Sequence, residues 1–95
     1  MTKKEIAKAR QQLRRLEKQM AEIHPVMRGS VVQIGMRNKQ FYFTLNKDKK
    51  TRLIYLGKKR EPLARQLSAN YKKLIATIEE MTLLNMTLLK NDALA

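Results

Sequence analysis

The 95-residue chain has no cysteine and no tryptophan, and only three tyrosines, two phenylalanines, two prolines and three glycines. Without cysteine there are no disulfides, thiolate zinc sites, iron–sulfur clusters or thiol nucleophiles, and nothing indicates an oxidising compartment. The N-terminus is positively charged but lacks a following apolar region of signal-peptide type, and no window approaches the ~20 apolar residues of a membrane span. The expectation is a soluble, cytoplasmic protein without a membrane partner, nucleoid-associated if it binds DNA. Acidic residues are also scarce, eight against 21 lysines and arginines, for a formal charge of +13. Such an excess points to a polyanionic partner.

What is present is enough to fold. Hydrophobic residues make up 43% of the chain, too many for a disordered tail. The length argues for a single domain over 1–95 with one core. No internal repeat, low-complexity tract or long linker divides it.

Three segments follow from periodicity. Thr2 and Glu5 fit a capping box, after which Ile6, Ala9, Leu13, Leu16, Met20 and Ile23 recur at spacings of three and four. This predicts an amphipathic helix over 2–24 with a coiled-coil seam, stopped before Pro25. Between 29 and 57 the period becomes two, and β-branched and aromatic residues concentrate, predicting three short antiparallel strands with turns at 35–38 and 46–50. With Asn46 opposite Thr51, Phe41, Phe43, Leu45, Ile54 and Leu56 share the buried face. Gln40, Tyr42, Thr44, Leu53 and Tyr55 share the other, with Tyr42 beside Tyr55. Pro62 suits the first turn of a second helix, 62–91, whose seam is Leu67, Tyr71, Leu74, Ile78, Met81, Asn85 and Leu88. The predicted class is α+β: helix, three-stranded antiparallel sheet, helix. The second helix covers the sheet, and the two helices form a coiled-coil-like pair or an oligomeric bundle.

The stretches Arg28-Gly29-Ser30-Val31-Val32, Phe41-Tyr42-Phe43-Thr44-Leu45, Lys50-Thr51-Arg52, Tyr55-Leu56, Asn70-Tyr71-Lys72-Lys73-Leu74, Ile78-Glu79-Glu80, Leu84-Asn85 and Leu88-Leu89 come in a telling order. In that order and spacing the chain resembles a domain of unknown function found in small basic prokaryotic proteins, often near transposons. The resemblance covers roughly residues 28 to 90 and implies the three-part layout and a mobile-element setting more than an activity. Many members carry a cysteine-rich insertion between the first two strands. Here only a short turn stands there, so any metal role does not carry over. Three strands followed by a helix also look like the DNA-binding arms of some integrases, an analogy of fold alone.

Charge is unevenly placed. Residues 2–24 hold a local +4, residues 25–60 a local +9 with Asp48 as the sole acid, and residues 61–95 are balanced. Lys47, Lys49, Lys50 and Arg52 surround one turn. Lys58, Lys59 and Arg60 stand immediately before the predicted second helix, where cations oppose the helix dipole unless an anion joins them. The candidate nucleic-acid-binding residues are therefore Arg37, Lys39, Gln40, Tyr42, Thr44, Lys47, Lys49, Lys50, Arg52, Tyr55, Lys58, Lys59 and Arg60. These are types that reach phosphates, base edges or base faces. The same lysines also serve as gatekeepers of a sheet edge, and Tyr42 and Tyr55 also fit an ordinary cross-strand pair or one covered by the first helix. Asn85, at a seam position, either sets register and partner number or faces water near a helix end.

No catalytic set, metal cluster or phosphate-cradling glycine loop is visible, and no cofactor is implied. The sole histidine, His24, fits a helix-terminal role, and Glu79 and Glu80 are adjacent and do not share a helical face. The expectation is a non-enzymatic nucleic-acid-binding protein, duplex DNA before RNA, forming a homodimer or higher oligomer. The alternatives are an RNA-binding module, or a helical assembly or adaptor protein whose charge gives solubility or docks an acidic protein.

Overall fold

Thr2 caps the first helix as its spacing from Glu5 predicts: its hydroxyl oxygen accepts from the Glu5 backbone N–H at 3.2 Å. In the computed structural model, which describes residues 1–94, the chain forms α1 (Lys3–Glu22), β1 (Ser30–Ile34), β2 (Gln40–Lys47), β3 (Lys50–Tyr55) and α2 (Gly57–Lys90). The class is α+β, with one antiparallel sheet in the order β1-β2-β3. No helix among the described residues is long and apolar enough to cross a membrane.

The chain divides into two compact units: His24–Lys72, and Met1–Ile23 together with the stretch from Lys73 onward. α2 contributes to both, residues 57–72 to the first and 73–90 to the second. Where the length argues for one core, the buried apolar side chains other than Leu16 form two clusters, one in each unit. Each is small, because α1 and the sheet find partners on different stretches of the same helix.

In the unit that holds α1, Ala9 and Leu13 pack with Leu88, flanked by Ile6, Met81, Leu84 and Ala93. The Met1 amino group donates to Asn91, Arg10 to the Ala93 carbonyl, and Gln19 to Thr77, so α1 and the second half of α2 run antiparallel. The buried and half-buried positions of α1 coincide with its predicted seam. The seam of α2 differs: Thr77 is 2% exposed and Ile78 41%. Thr77 is tolerated inside because its hydroxyl donates to the Lys73 carbonyl at 2.9 Å, satisfying the group within its own helix. α2 ends with the Ala93 N–H on the Leu88 carbonyl and the Asp92 N–H on the Leu89 carbonyl, with Asp92 left-handed at φ 54. This is a Schellman motif with aspartate where glycine is usual.

In the sheet unit the register is the predicted one, with Asn46 opposite Thr51 and Tyr42 opposite Tyr55. Phe43, Leu56 and Ala64 form the buried centre, with Met27, Val31 and Phe41 against it. Ile54, assigned to the same buried face, is 54% exposed, because α2 covers β2 rather than the outer strand β3, every residue of which is exposed. The longer turn expected at 46–50 tightens to Asp48 and Lys49, both left-handed (φ 53 and 63), between the paired Lys47 and Lys50. Left-handed φ at both central residues is the type I′ geometry that matches strand twist.

The start of α2 corrects the expectation of a helix from 62. Gly57, at φ 65, turns the chain directly from β3 into helix. Pro62 therefore lies inside α2, one turn beyond the N-terminal position where proline fits best, and gives the Lys58 carbonyl no N–H partner.

Candidate nucleic-acid interface

Period two, applied to the observed register, sorts the sheet residues into two sets. Ser30, Val32 and Ile34 of β1, Gln40, Tyr42, Thr44 and Asn46 of β2, and Thr51, Leu53 and Tyr55 of β3 share one face. None of them is charged. Phe41, Phe43, Leu45, Lys47, Lys50, Arg52 and Ile54 share the other face, on which α2 packs.

On the uncharged face Ile34, Leu53 and Tyr55 are 43%, 51% and 52% exposed. Tyr42 and Tyr55 meet edge to face with ring centroids 5.6 Å apart, a favourable aromatic geometry. The Tyr55 hydroxyl donates to Gln40 Oε1 at 3.3 Å, and the Thr51 hydroxyl donates to Asn46 Oδ1 at 2.7 Å. Each carboxamide thus has its oxygen engaged by a hydroxyl of the neighbouring strand, which leaves its NH₂ group available to donate.

The cations stand around this face rather than on it. Arg37 and Lys39 lie in the β1–β2 connection, Lys49 in the hairpin turn, and Lys58, Lys59 and Arg60 in the first turn of α2. The last three were expected just before that helix. With the earlier start they lie within its first turn, which contains no acidic residue, so their conflict with the helix dipole is direct. Arg60 meets part of it by donating to the Tyr55 carbonyl at 3.4 Å.

The structure therefore brings together Gln40, Tyr42, Thr44 and Tyr55, with basic residues at both ends of the strands. It separates Lys47, Lys50 and Arg52 from them. Arg52 sits opposite Leu45 and, with Arg28 and Lys47, lines a groove of about 640 Å³ on the Phe43 face. Sequence reasoning grouped Arg52 by its neighbours in the basic run and missed both Arg28 and Ser30. Alternation from Tyr55 back through Leu53 already puts Arg52 on the opposite face.

Among the described residues no group of three or more His, Cys, Asp or Glu side chains is placed to hold a metal ion. Asn85 is half-buried and lines a pocket with Leu13 and Leu88.

No family model matches the chain, and neither a curated protein nor a solved structure gives a match.

Proposed function

We propose that the protein is a non-enzymatic nucleic-acid-binding module that prefers duplex DNA to RNA and acts as a homodimer or higher oligomer. The observation that carries the reading is the uncharged sheet face bordered by cations. Its hydroxyls, carboxamides and aliphatic groups are the types that read base edges and thymine methyls, while lysines and arginines at its margins neutralise phosphates. The B-form major groove admits a β-ribbon, whereas the deep, narrow major groove of A-form RNA does not admit side chains so readily, which favours DNA. Asp48 is the sole acid among residues 25–60, so nothing else there repels a phosphate backbone.

The test is a gel-shift comparison of duplex DNA, single-stranded DNA and structured RNA across a salt series. Duplex DNA is expected to bind tightest, with log affinity falling by ~0.9 for each phosphate contact per unit of log salt. Weak affinity that is flat with salt would replace this reading with the assembly or adaptor reading.

Oligomerisation rests on a separate observation. Ile75, Ile78, Met86 and Leu89 are 39%, 41%, 61% and 63% exposed on α2, and at 100° per residue they fall on one stripe away from the face that meets α1. This stretch lies within residues 61–95, where charges balance, so copies meeting here are not held apart by repulsion. Light scattering at tens of micromolar, a range that detects association of about 7 kcal/mol, is expected to give a dimer or larger mass. Met86→Glu is expected to give a monomer. A monomeric wild type sinks the assignment.

A further inference from the structure

The groove on the Phe43 face plays no part in the nucleic-acid reading. Its wall is the segment that follows α1, which has no regular structure of its own and is fastened to α2. Asn70 Nδ2 donates to the Pro25 carbonyl at 3.0 Å, the Met27 N–H to the Leu67 carbonyl at 3.2 Å, and Ser68 Oγ to the Gly29 carbonyl at 2.9 Å. Gly29 allows this close approach: at φ 144, a Cβ there would lie 2.5 Å from the Thr44 carbonyl oxygen and 2.7 Å from the Phe43 ring. The wall is therefore built into the fold.

Two adjoining depressions of about 640 and 190 Å³ share Met27, Phe43 and Ile54 and continue over Leu63. Ile54 and Leu63 are 54% and 61% exposed, so the apolar strip is open along its length. Arg28, Lys47 and Arg52 line the first depression and Arg60 the second, and no carboxylate lines either. Arg28 is held there by donating to the Asn46 carbonyl at 3.3 Å.

We propose that this groove docks an acidic amphipathic helix of a partner protein, with its apolar stripe on Met27, Ile54 and Leu63 and carboxylates on both flanks meeting the cations. An open strip between sheet and helix suits a helix laid along it, apolar side chains at i, i+3, i+4 and i+7 filling it. Met27 adapts to different apolar shapes. A fatty carboxylate fits less well: its chain would stay half in water, and its single charged end answers cations at one end of the strip only. A second copy of this chain is opposed by charge, since residues 25–60 carry +9 and none of the three segments of the chain is net acidic. A nucleic acid has no apolar stripe to place on Ile54 and Leu63.

The experiment uses the full chain and a fluorescein-labelled helical peptide of about 15 residues, roughly four turns, with leucines on one face and glutamates on the others. A scrambled peptide of the same composition is the control. The amphipathic peptide is expected to bind at least about tenfold tighter than the scrambled one by anisotropy, a difference of ~1.4 kcal/mol. Ile54→Glu and Arg52→Glu are each expected to abolish that difference while circular dichroism and duplex-DNA affinity hold. Equal binding of the two peptides means charge alone and overturns the proposal, as does an Ile54→Glu protein that still prefers the amphipathic peptide. Tighter binding of laurate than of the peptide overturns it in favour of a fatty anion. A change in oligomeric mass on Ile54→Glu overturns it in favour of a second copy.

Discussion

On one face of the sheet, Gln40, Tyr42, Thr44 and Tyr55 offer hydroxyls, an amide and aromatic edges with no charge among them; on the other, Phe41 and Phe43 turn towards α2 while Lys47, Lys50 and Arg52 stand around them. Both sets come from the same strands, and successive residues alternate between them. The basic run from Lys47 to Arg52 is a single cluster in the sequence and not a single surface in the fold. Lys49 sits at the hairpin tip, while Lys47, Lys50 and Arg52 belong to the α2 side. A charge count finds the region that attracts a polyanion; pairing register decides which side chains face it together.

The largest contrast between the faces is in stability. Phe43 is 4% exposed, and Phe43→Ala is expected to cost about 3–5 kcal/mol in urea unfolding. Tyr42→Ala on the opposite face is expected to cost about 1 kcal/mol, the scale of a cross-strand aromatic pair. Equal losses would mean that both faces are core and that the uncharged one is unavailable to a partner.

Next is the contrast in DNA binding. Changing Arg37, Lys39 and Lys49, which border the uncharged face, together to Ala is expected to flatten the slope of log affinity on log salt by roughly 2–3 units, if each meets a phosphate. Arg52→Ala, behind the uncharged face, is expected to shift duplex affinity by less than about twofold, the scale of a surface change away from contacts. A slope that responds to Arg52 alone would make the α2 side the DNA surface.

The smallest effect sharpens the tip. Lys49→Gly relieves a left-handed φ of 63 and is expected to raise stability by about 0.5–1 kcal/mol. It also removes ~0.9 unit of salt slope. A hairpin stabilised without any change of slope would place Lys49 outside the phosphate contacts.

Much of this fold was legible because its signals are short-ranged. The α1 seam from Ile6 to Ile23 and the Tyr42–Tyr55 pairing follow from periods of 3.6 and two, which local sterics enforce. Proline at 62 misled because its preference for a first turn is weaker than the turn that Gly57 makes five residues earlier. Ser68 and Thr77 were missed as inner residues of α2 because a search for apolar stripes passes over hydroxyls. Ser68 bonds to the Gly29 carbonyl and Thr77 to the Lys73 carbonyl. The apolar groove had no signature, since residues 26–28 have no periodicity and are positioned by bonds to distant elements, Met27 to α2 some 40 residues on and Arg28 to β2.

Chain connectivity sets an order of assembly. The sheet unit is one uninterrupted stretch, His24–Lys72, and each of its strands follows its neighbour directly, so its contacts close small loops. The other unit draws on sequence from both sides of that stretch. Bringing Ala9 and Leu13 to Leu88 before the sheet exists would close a flexible loop of many tens of residues, at an entropic cost of about 3–4 kcal/mol. Once the sheet and the first turns of α2 have formed, most of that loop is already rigid. The meander is expected to nucleate folding and the pairing of α1 with α2 to follow, so that core mutations around Phe43 slow folding while those around Leu88 mainly speed unfolding.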